Sequence, residues 1–324
     1  MKIIKYLFLF LIIAFALSWF AFKNPGMDLF DTNESDVVIF SSPSNLKKYV
    51  KAIVGTPKPR NYLAPDMLNL VAKKIGEVFA KYCDEVEVLP YIVHGIEYKN
   101  IRCSFNPSLQ KRIIVGAHYD VFGAGPGADD NASGVAGILE LSRLFKEKGM
   151  AKEKRVDLVA FTLEEPPFFR SKDMGSYIFA KDLFDKKIKI EFMLALEMIG
   201  YYSESPGSQN YFLPWMSLFY GDKGNFAALV GSYKEFSLTR KIRKLFNSNS
   251  PIEIKTINTP KFIYGVDWSD HLNFWNFGYP AFMITDTAFF RHGNYHQKSD
   301  TPDKLDFSYM AGLIHGIYFG ISSY

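Results

Sequence analysis

Cysteine and net charge are both scarce in this sequence of 324 residues. Only Cys83 and Cys103 occur, which excludes a disulfide-rich scaffold and a zinc finger built on cysteines. Lysine and arginine outnumber the acids by four, and three of them, Lys2, Lys5 and Lys23, stand in an acid-free N-terminal stretch. The rest of the chain holds 35 basic against 34 acidic residues. A body that close to neutral has no global field to hold a phosphate backbone, so no nucleic-acid partner is expected. Internal repeats are also missing. With 48% hydrophobic, 22% charged and 16% aromatic residues, disorder and low-complexity arrays are excluded. The length predicts one large domain with additions rather than two substantial ones.

The N-terminus reads as an address. Lys2 and Lys5 precede an apolar run from Tyr6 to Phe22 that only Ser18 interrupts. It is longer than the usual core of a signal peptide and at the short limit for spanning a bilayer. A small-x-small pattern at Ala14-Phe15-Ala16 falls inside the run, whereas a cleavage site belongs at its polar end. The sequence therefore predicts a signal anchor at 1–23, with a cleaved signal peptide as the alternative, then a linker at 24–43 and one folded domain at 44–324. Positive charge before the run and Asp28 and Asp31 after it place the domain outside the cytoplasm, either membrane-anchored or secreted. There Cys83 and Cys103 either pair or remain buried thiols, since sequence carries no geometry.

The folded part alternates. Helices are predicted from Ser44, as cap, to about Val54, from Pro65 to about Tyr82, over Asn131–Lys148, at about Met174–Leu183, Tyr233–Phe246 and Asp270–Phe277, and at about Phe307–Ile321. Strands are predicted at Glu85–Tyr91, Glu97–Phe105 after a His94-Gly95 turn, Arg112–Ala117, Val156–Thr162, Ile188–Leu196, Phe226–Gly231 and Pro280–Thr285. Strands alternating with helices predict a three-layer α/β/α sandwich around a mixed, mostly parallel sheet.

Chemistry-bearing residues cluster at the ends of those strands, where α/β sheets form their sites. His118 and Asp120 share a face after the first buried strand, suiting an imidazole steered by a carboxylate; alone, an H-x-D pair reads as a hydrogen-bonded turn. Gly127-Ala128-Asp129-Asp130-Asn131-Ala132-Ser133-Gly134 is a glycine-rich loop with paired acids opening a helix. One of Asp129, Asp130 and Asn131 would serve as its cap, but capping needs one of them, not two. Glu164-Glu165 are adjacent carboxylates, which repel unless a cation or proton intervenes. Glu197 closes a strongly apolar strand and needs a partner there. Asn294-Tyr295-His296 precedes the last helix.

Together these motifs, in this order, resemble peptidase family M28, the di-zinc aminopeptidases, over residues 44 to 324. Ser269-Asp270-His271 also matches the family, and Glu164-Glu165-Pro166-Pro167-Phe168-Phe169 resembles a bacterial subgroup. The resemblance implies two zinc ions, one held by Asp130, Glu165 and His296 and the other by His118, Asp130 and Glu197, with Asp130 bridging. It implies Glu164 as general base and Asp120 as the residue that orients His118, acting on a peptide substrate. Relatives often carry Asp where this chain has Glu197, which keeps the carboxylate on a longer stem. An all N/O donor set suits zinc and tolerates cobalt or manganese.

Two other readings compete. A glutaminyl cyclase-like acyltransferase would use the same fold with a single zinc, and a non-catalytic ectodomain would ordinarily have lost ligands that are all present here. His271 reads as a residue beside the ligands or at a helix start, His94 as an exposed turn residue, and His292 has no assignment. Phe289, Phe290, Tyr295 and Trp275 are expected to pack in the core, with a side-chain pocket as the alternative.

Overall fold

The computed structural model describes residues 38–150 and 153–324, with residues 5, 6, 8–10, 12 and 13 ahead of them. Most of the apolar run Tyr6–Phe22 and of the 24–43 linker lies outside the described residues, among which no helix is long and apolar enough to cross a membrane.

Eight strands form one mixed sheet in the order β1-β2-β4-β3-β5-β8-β6-β7. They are β1 (Glu85–Val93), β2 (Ile96–Phe105), β3 (Arg112–His118), β4 (Arg155–Phe161), β5 (Ile190–Leu196), β6 (Ala227–Ser232), β7 (Ile254–Thr259) and β8 (Ala281–Thr285). Neighbours β4-β3, β3-β5, β5-β8 and β6-β7 are parallel; β1-β2, β2-β4 and β8-β6 are antiparallel. The β1–β2 turn is made by His94 and Gly95, both at positive φ (49° and 80°), the twist that a two-residue hairpin needs. His94 is exposed there, as expected.

Among the described residues from 38 on, the α-helices of six or more residues are α1 (Pro43–Val54), α2 (Pro65–Tyr82), α3 (Gly134–Lys148), α4 (Gly175–Asp185), α5 (Phe236–Asn247), α6 (His271–Asn276) and α7 (Phe307–Ser323), and a 3₁₀ turn (Pro214–Met216) runs into a one-turn helix (Ser217–Tyr220) ahead of β6. Strands β3 and β4 are buried along their whole length, so alternate residues feed two cores. Ile113, Val115 and Ala117 join α1, α2, α3, α5 and α7 on one face, while Ile114, Val159 and Phe161 join α4 and α6 on the other. Each fully buried Leu, Ile, Val or Phe side chain contributes about 1.5–3 kcal/mol, which makes this central pair the anchor of both layers. The sandwich is the predicted one.

Two local expectations need correcting, and a third resolves to one of its candidates. The cap of α1 is Ser42, not Ser44: its hydroxyl accepts the Asn45 amide at 3.3 Å. β7 is absent from the predicted strands because it is an edge strand with only Ile254 fully buried, so no apolar run marks it. At the head of α3 the capping acceptor is Asn131, whose Oδ1 takes the Gly134 amide, leaving both Asp129 and Asp130 for other partners. Cys83 and Cys103 are joined as a disulfide between the end of α2 and β2.

Candidate active site

The parallel strands β3, β4 and β5 lie side by side and end at one edge, and each carries acid or imidazole just past its last residues. β3 ends on His118, with Asp120 two residues on. β4 is followed by Glu164 and Glu165, and β5 by Glu197. The turns that aim these groups are strained: Leu163, Met198 and His296 all hold positive φ (61°, 49° and 60°), a conformation that costs a side-chain-bearing residue free energy and persists only where the surroundings impose it.

Asp130 arrives on the irregular segment Ala128–Ser133 between β3 and α3. Gly127 before it adopts φ 57°, and a Cβ there would collide with the Asp130 carbonyl, so only glycine fits. The Asp300 carboxylate receives the Asp129 and Asp130 amides at 2.9 and 3.1 Å. Arg60, fully buried, donates to the carbonyls of Tyr119, Pro126 and Gly127. Asn131 Oδ1 also takes the Met198 amide and its Nδ2 donates to Leu196 O, which locks the loop to the end of β5.

These elements bring all five expected ligands together, His118, Asp130, Glu165 and Glu197 buried and His296 half-buried. Asp130 stands between two imidazoles: His118 Nε2 is 3.3 Å from Asp130 Oδ1, and His296 Nε2 is 3.1 Å from Oδ2. Glu197 Oε2 lies 3.4 Å from His118 Nε2, and Glu165 Oε2 3.3 Å from His296 Nε2. One donor atom each from His118, Asp130 and Glu165 fall within 4.8 Å of one another. Glu164 Oε2 is 3.9 Å from His118 Nε2. Asp120 lies 3.5 Å from His118 Nδ1 and receives the amides of Glu164 and Glu165 at 3.2 and 3.1 Å, so one carboxylate sets the imidazole and the acidic turn together. Phe122 stacks on His296 at 4.4 Å and its amide holds Glu165 Oε1.

The charge balance fits cations. Five buried carboxylates face two imidazoles. Burial pushes Glu165 up to about 7, with the Asp130 charge adding to it. Burial also drives Glu164 well above the ordinary carboxylate range, reinforced by Glu197 and Glu165. For His296, burial opposes the charged form, but Asp130 and Glu165 outweigh it and raise the imidazole to about 10. Asp130 is held low against its burial by His118 and His296. His296 Nε2 is buried without a hydrogen-bond partner, and His118 Nε2 faces the carboxylates of Asp130 and Glu197. Carboxylates pushed up and imidazole nitrogens left over are what a donor set for hard or borderline cations looks like without them.

Sequence reasoning missed several supports. Ser269 Oγ donates to Glu197 Oε2 at 2.7 Å, and Asp270 is fully buried beside the site, raised by burial to about 7; the Ser269-Asp270-His271 match was the only signal for either. Arg60 and Asp300 act over long range on backbone, which no local motif reveals. His271 opens α6 with Nε2 against Val266 O at 2.8 Å, away from the carboxylates. His292 lies behind the loop, 3.6 Å from Asp300 and stacked on Tyr201 at 4.2 Å. Trp275 packs in the core with its Nε1 on Ala281 O. Phe289, Phe290 and Tyr295, expected in the core, instead line a cavity of about 260 Å³ that opens beside Glu197 and Met198.

Comparison with known proteins agrees with this geometry. An uncharacterized Escherichia coli protein, YfbL, is 41% identical over 322 residues, covering 97% of both chains. A probable aminopeptidase of Saccharomyces cerevisiae, YDR415C, is 26% identical over 223 residues, 65% of this chain and 52% of that one, so this chain spans about half of that relative. Among solved structures, the LapA aminopeptidase of Legionella pneumophila superposes with TM-score 0.68 at 17% identity, covering 87% of this chain and 72% of that one. A Bacteroides thetaiotaomicron glutaminyl cyclase superposes with TM-score 0.66 at 18% identity, covering 89% and 100%. At such identities the two structures speak for the fold alone. Residues 100–315, which carry every ligand candidate above, match Peptidase family M28, and with the strand-end site in place the chain belongs to that family.

Proposed function

We propose that the protein is an aminopeptidase that holds two zinc ions and removes N-terminal residues from peptides. The observation that carries this reading is Asp130 between two imidazoles, one carboxylate oxygen toward each (3.3 and 3.1 Å), the arrangement of a bridging ligand. His296, Glu165 and Asp130 would hold one ion, and His118, Glu197 and Asp130 the other. When bound, zinc in such a site polarises the scissile carbonyl and acidifies water.

The chain's own groups do the rest. Glu164, carried on the turn that Asp120 fixes, takes the proton from the attacking water on its carboxylate. The water oxygen bonds to the carbonyl carbon, the C–N bond breaks, and Glu164 returns the proton to the departing amine, leaving a carboxylate and a free amine. Asp120 keeps His118 in one tautomer through Nδ1, and Ser269 orients Glu197. The cavity beside Glu197 seats the side chain of the N-terminal residue. The family membership and the yeast relative's name support peptide hydrolysis; the likeness to a glutaminyl cyclase supports the second reading, an acyltransferase with one zinc.

Metal content and a panel of aminoacyl nitroanilides, N-blocked controls and an N-terminal glutaminyl peptide separate them. The expected result is close to two metals per chain, cleavage only of free N-termini, and loss of activity to o-phenanthroline. One metal with cyclisation of the glutaminyl peptide establishes the second reading, and activity surviving full chelation removes both.

We also propose that Tyr6–Phe22 anchors the protein with its catalytic domain outside the cytoplasm. The lysines ahead of the run and a disulfide, which persists in oxidising compartments, support this placement. Full-length protein should resist carbonate extraction from membranes; a mature N-terminus beyond Phe22 would show a cleaved, secreted form instead.

A further inference from the structure

The helical cover of the second face thins toward its edge. α4 and α6 pack over the middle of the sheet, with α6 reaching β5 and β8, and over β6 and β7 a 3₁₀ turn (Pro214–Met216) and a one-turn helix (Ser217–Tyr220) take their place. That short segment and a loop roof the gap: Phe212, Trp215 and Tyr220 from one, Tyr264 and Trp268 from the other. The floor beneath is regular. Thr285, Ala228 and Lys255 form one row in register across β8, β6 and β7, and Met283, Val230 and Ile257 form the next, two residues along and on the same face.

That register gives the cavity a length. From the end of β5, where Glu197 stands, to β7 is three strand spacings, about 14 Å. A leucine side chain reaches only about 4 Å from its Cα, and aromatic side chains reach roughly half the span. A cavity on the order of 150 Å³ already accepts a benzene ring, and this one holds about 260 Å³. At its far end the Lys255 ammonium is engaged, donating to Tyr220 O at 2.5 Å, 3.6 Å from Glu253 and over the Phe226 ring at 4.3 Å. Leu218 and Phe262, next to the lining residues in sequence, are exposed apolar side chains (68% and 85%).

We propose that this cavity receives an unbranched alkyl or acyl chain longer than any standard side chain, carried by the substrate's N-terminal residue. The substrate class is then a peptide whose N-terminal residue keeps a free α-amine and carries a lipid-like side chain, cleaved by the same hydrolysis. This rests on the aminopeptidase reading. Each methylene buried along the floor adds about fourfold in binding.

The test uses the metal-replete full-length chain and aminoacyl 4-nitroanilides that differ only in a straight alkyl side chain, from 2-aminobutanoyl to 2-aminododecanoyl. kcat/KM is expected to rise about two- to fourfold per methylene beyond the four carbons of norleucine, to about eight carbons. A maximum at or below four carbons overturns the proposal. Ala228→Trp, which fills the middle of the floor, should cut the ratio of long-chain to short-chain kcat/KM by at least about tenfold; Ala228→Leu is the milder form, and an unchanged ratio in both counts against the proposal. Binding is read separately, by quenching of tryptophan fluorescence with alkyl amines from butylamine to decylamine. Affinity that grows with chain length while no nitroanilide is hydrolysed leaves the cavity standing and removes the aminopeptidase. Leucyl nitroanilide hydrolysis with no growth in rate or affinity does the reverse.

Discussion

The two halves of this site are built differently on one sheet. Over β3, β4 and β5 the strands are buried on both faces, and their ends carry carboxylates and imidazoles fixed by backbone amides and a buried arginine. Over β8, β6 and β7 one face carries only a short helical segment and a loop, both rich in aromatic residues, which close a cavity above a mostly apolar floor. Chemistry sits where the scaffold is stiffest, because donor atoms must hold position to fractions of an ångström. The cavity sits where the layer is thinnest, because a gap in packing is the only room that a close-packed fold offers.

The largest expected effect separates neighbours in the first half. Glu164→Gln should keep metal content and the folded state but lose about a hundred- to ten-thousand-fold in kcat. Glu165→Gln should instead empty or weaken one metal position, with activity partly restored by added zinc. Metal analysis and turnover measured across added zinc decide it. Swapped outcomes exchange the two roles, and full activity in both would place catalysis elsewhere. Neither change should alter the preference among N-terminal side chains.

Asp300→Asn is expected to reach the same half from a distance. It replaces one of two acceptors for the Asp129 and Asp130 amides, so zinc affinity should fall by about 10–100-fold at unchanged substrate preference. A competition titration with a zinc chelator measures it, and wild-type affinity would show that the loop needs no such support.

Trp268→Ala tests the second half. Loss of one wall of the cavity should lower kcat/KM for bulky apolar N-terminal residues by about tenfold and for alanyl substrates far less, with metal content intact. A uniform loss across substrates would mean that the two halves are not separable.

The smallest effect concerns stability. In the metal-free protein Glu165 is raised from 4.5 to about 7, so the folded state binds more protons than the unfolded one in that window and stability falls as pH rises through it. His296, raised from 6.5 to about 10, contributes stability that is complete below 6.5 and lost as pH rises toward 10, the same direction. The metal-free Tm should therefore decline by roughly a few degrees between pH 5 and pH 9, and zinc should abolish the decline. A flat profile without metal would show that the cluster's charges are balanced from within.

Much of the first half was readable from sequence because its residues follow apolar strands directly: His118, Glu164, Glu165 and Glu197 are each placed by a short local pattern. Asp130 was readable from the glycine-rich loop. Arg60, Asp300 and Ser269 were not legible as supports, since each acts through contacts between segments 59 to 171 residues apart. The second half was hidden for a related reason. β7 is an edge strand without an apolar run, and the cavity is roofed by the short segment Pro214–Tyr220 and a loop, which no periodic pattern marks. Trp275 and Phe289 carry the same apolar signal, yet one is core and the other lines a pocket.

The bond from Asp300 to the Asp130 loop also sets an order of assembly. Residue 130 acquires its final orientation only once residue 300 has been synthesised and docked, so a nascent or C-terminally truncated chain presents scattered carboxylates and no paired site. Closure of the site is thereby tied to docking of the segment that carries Asp300.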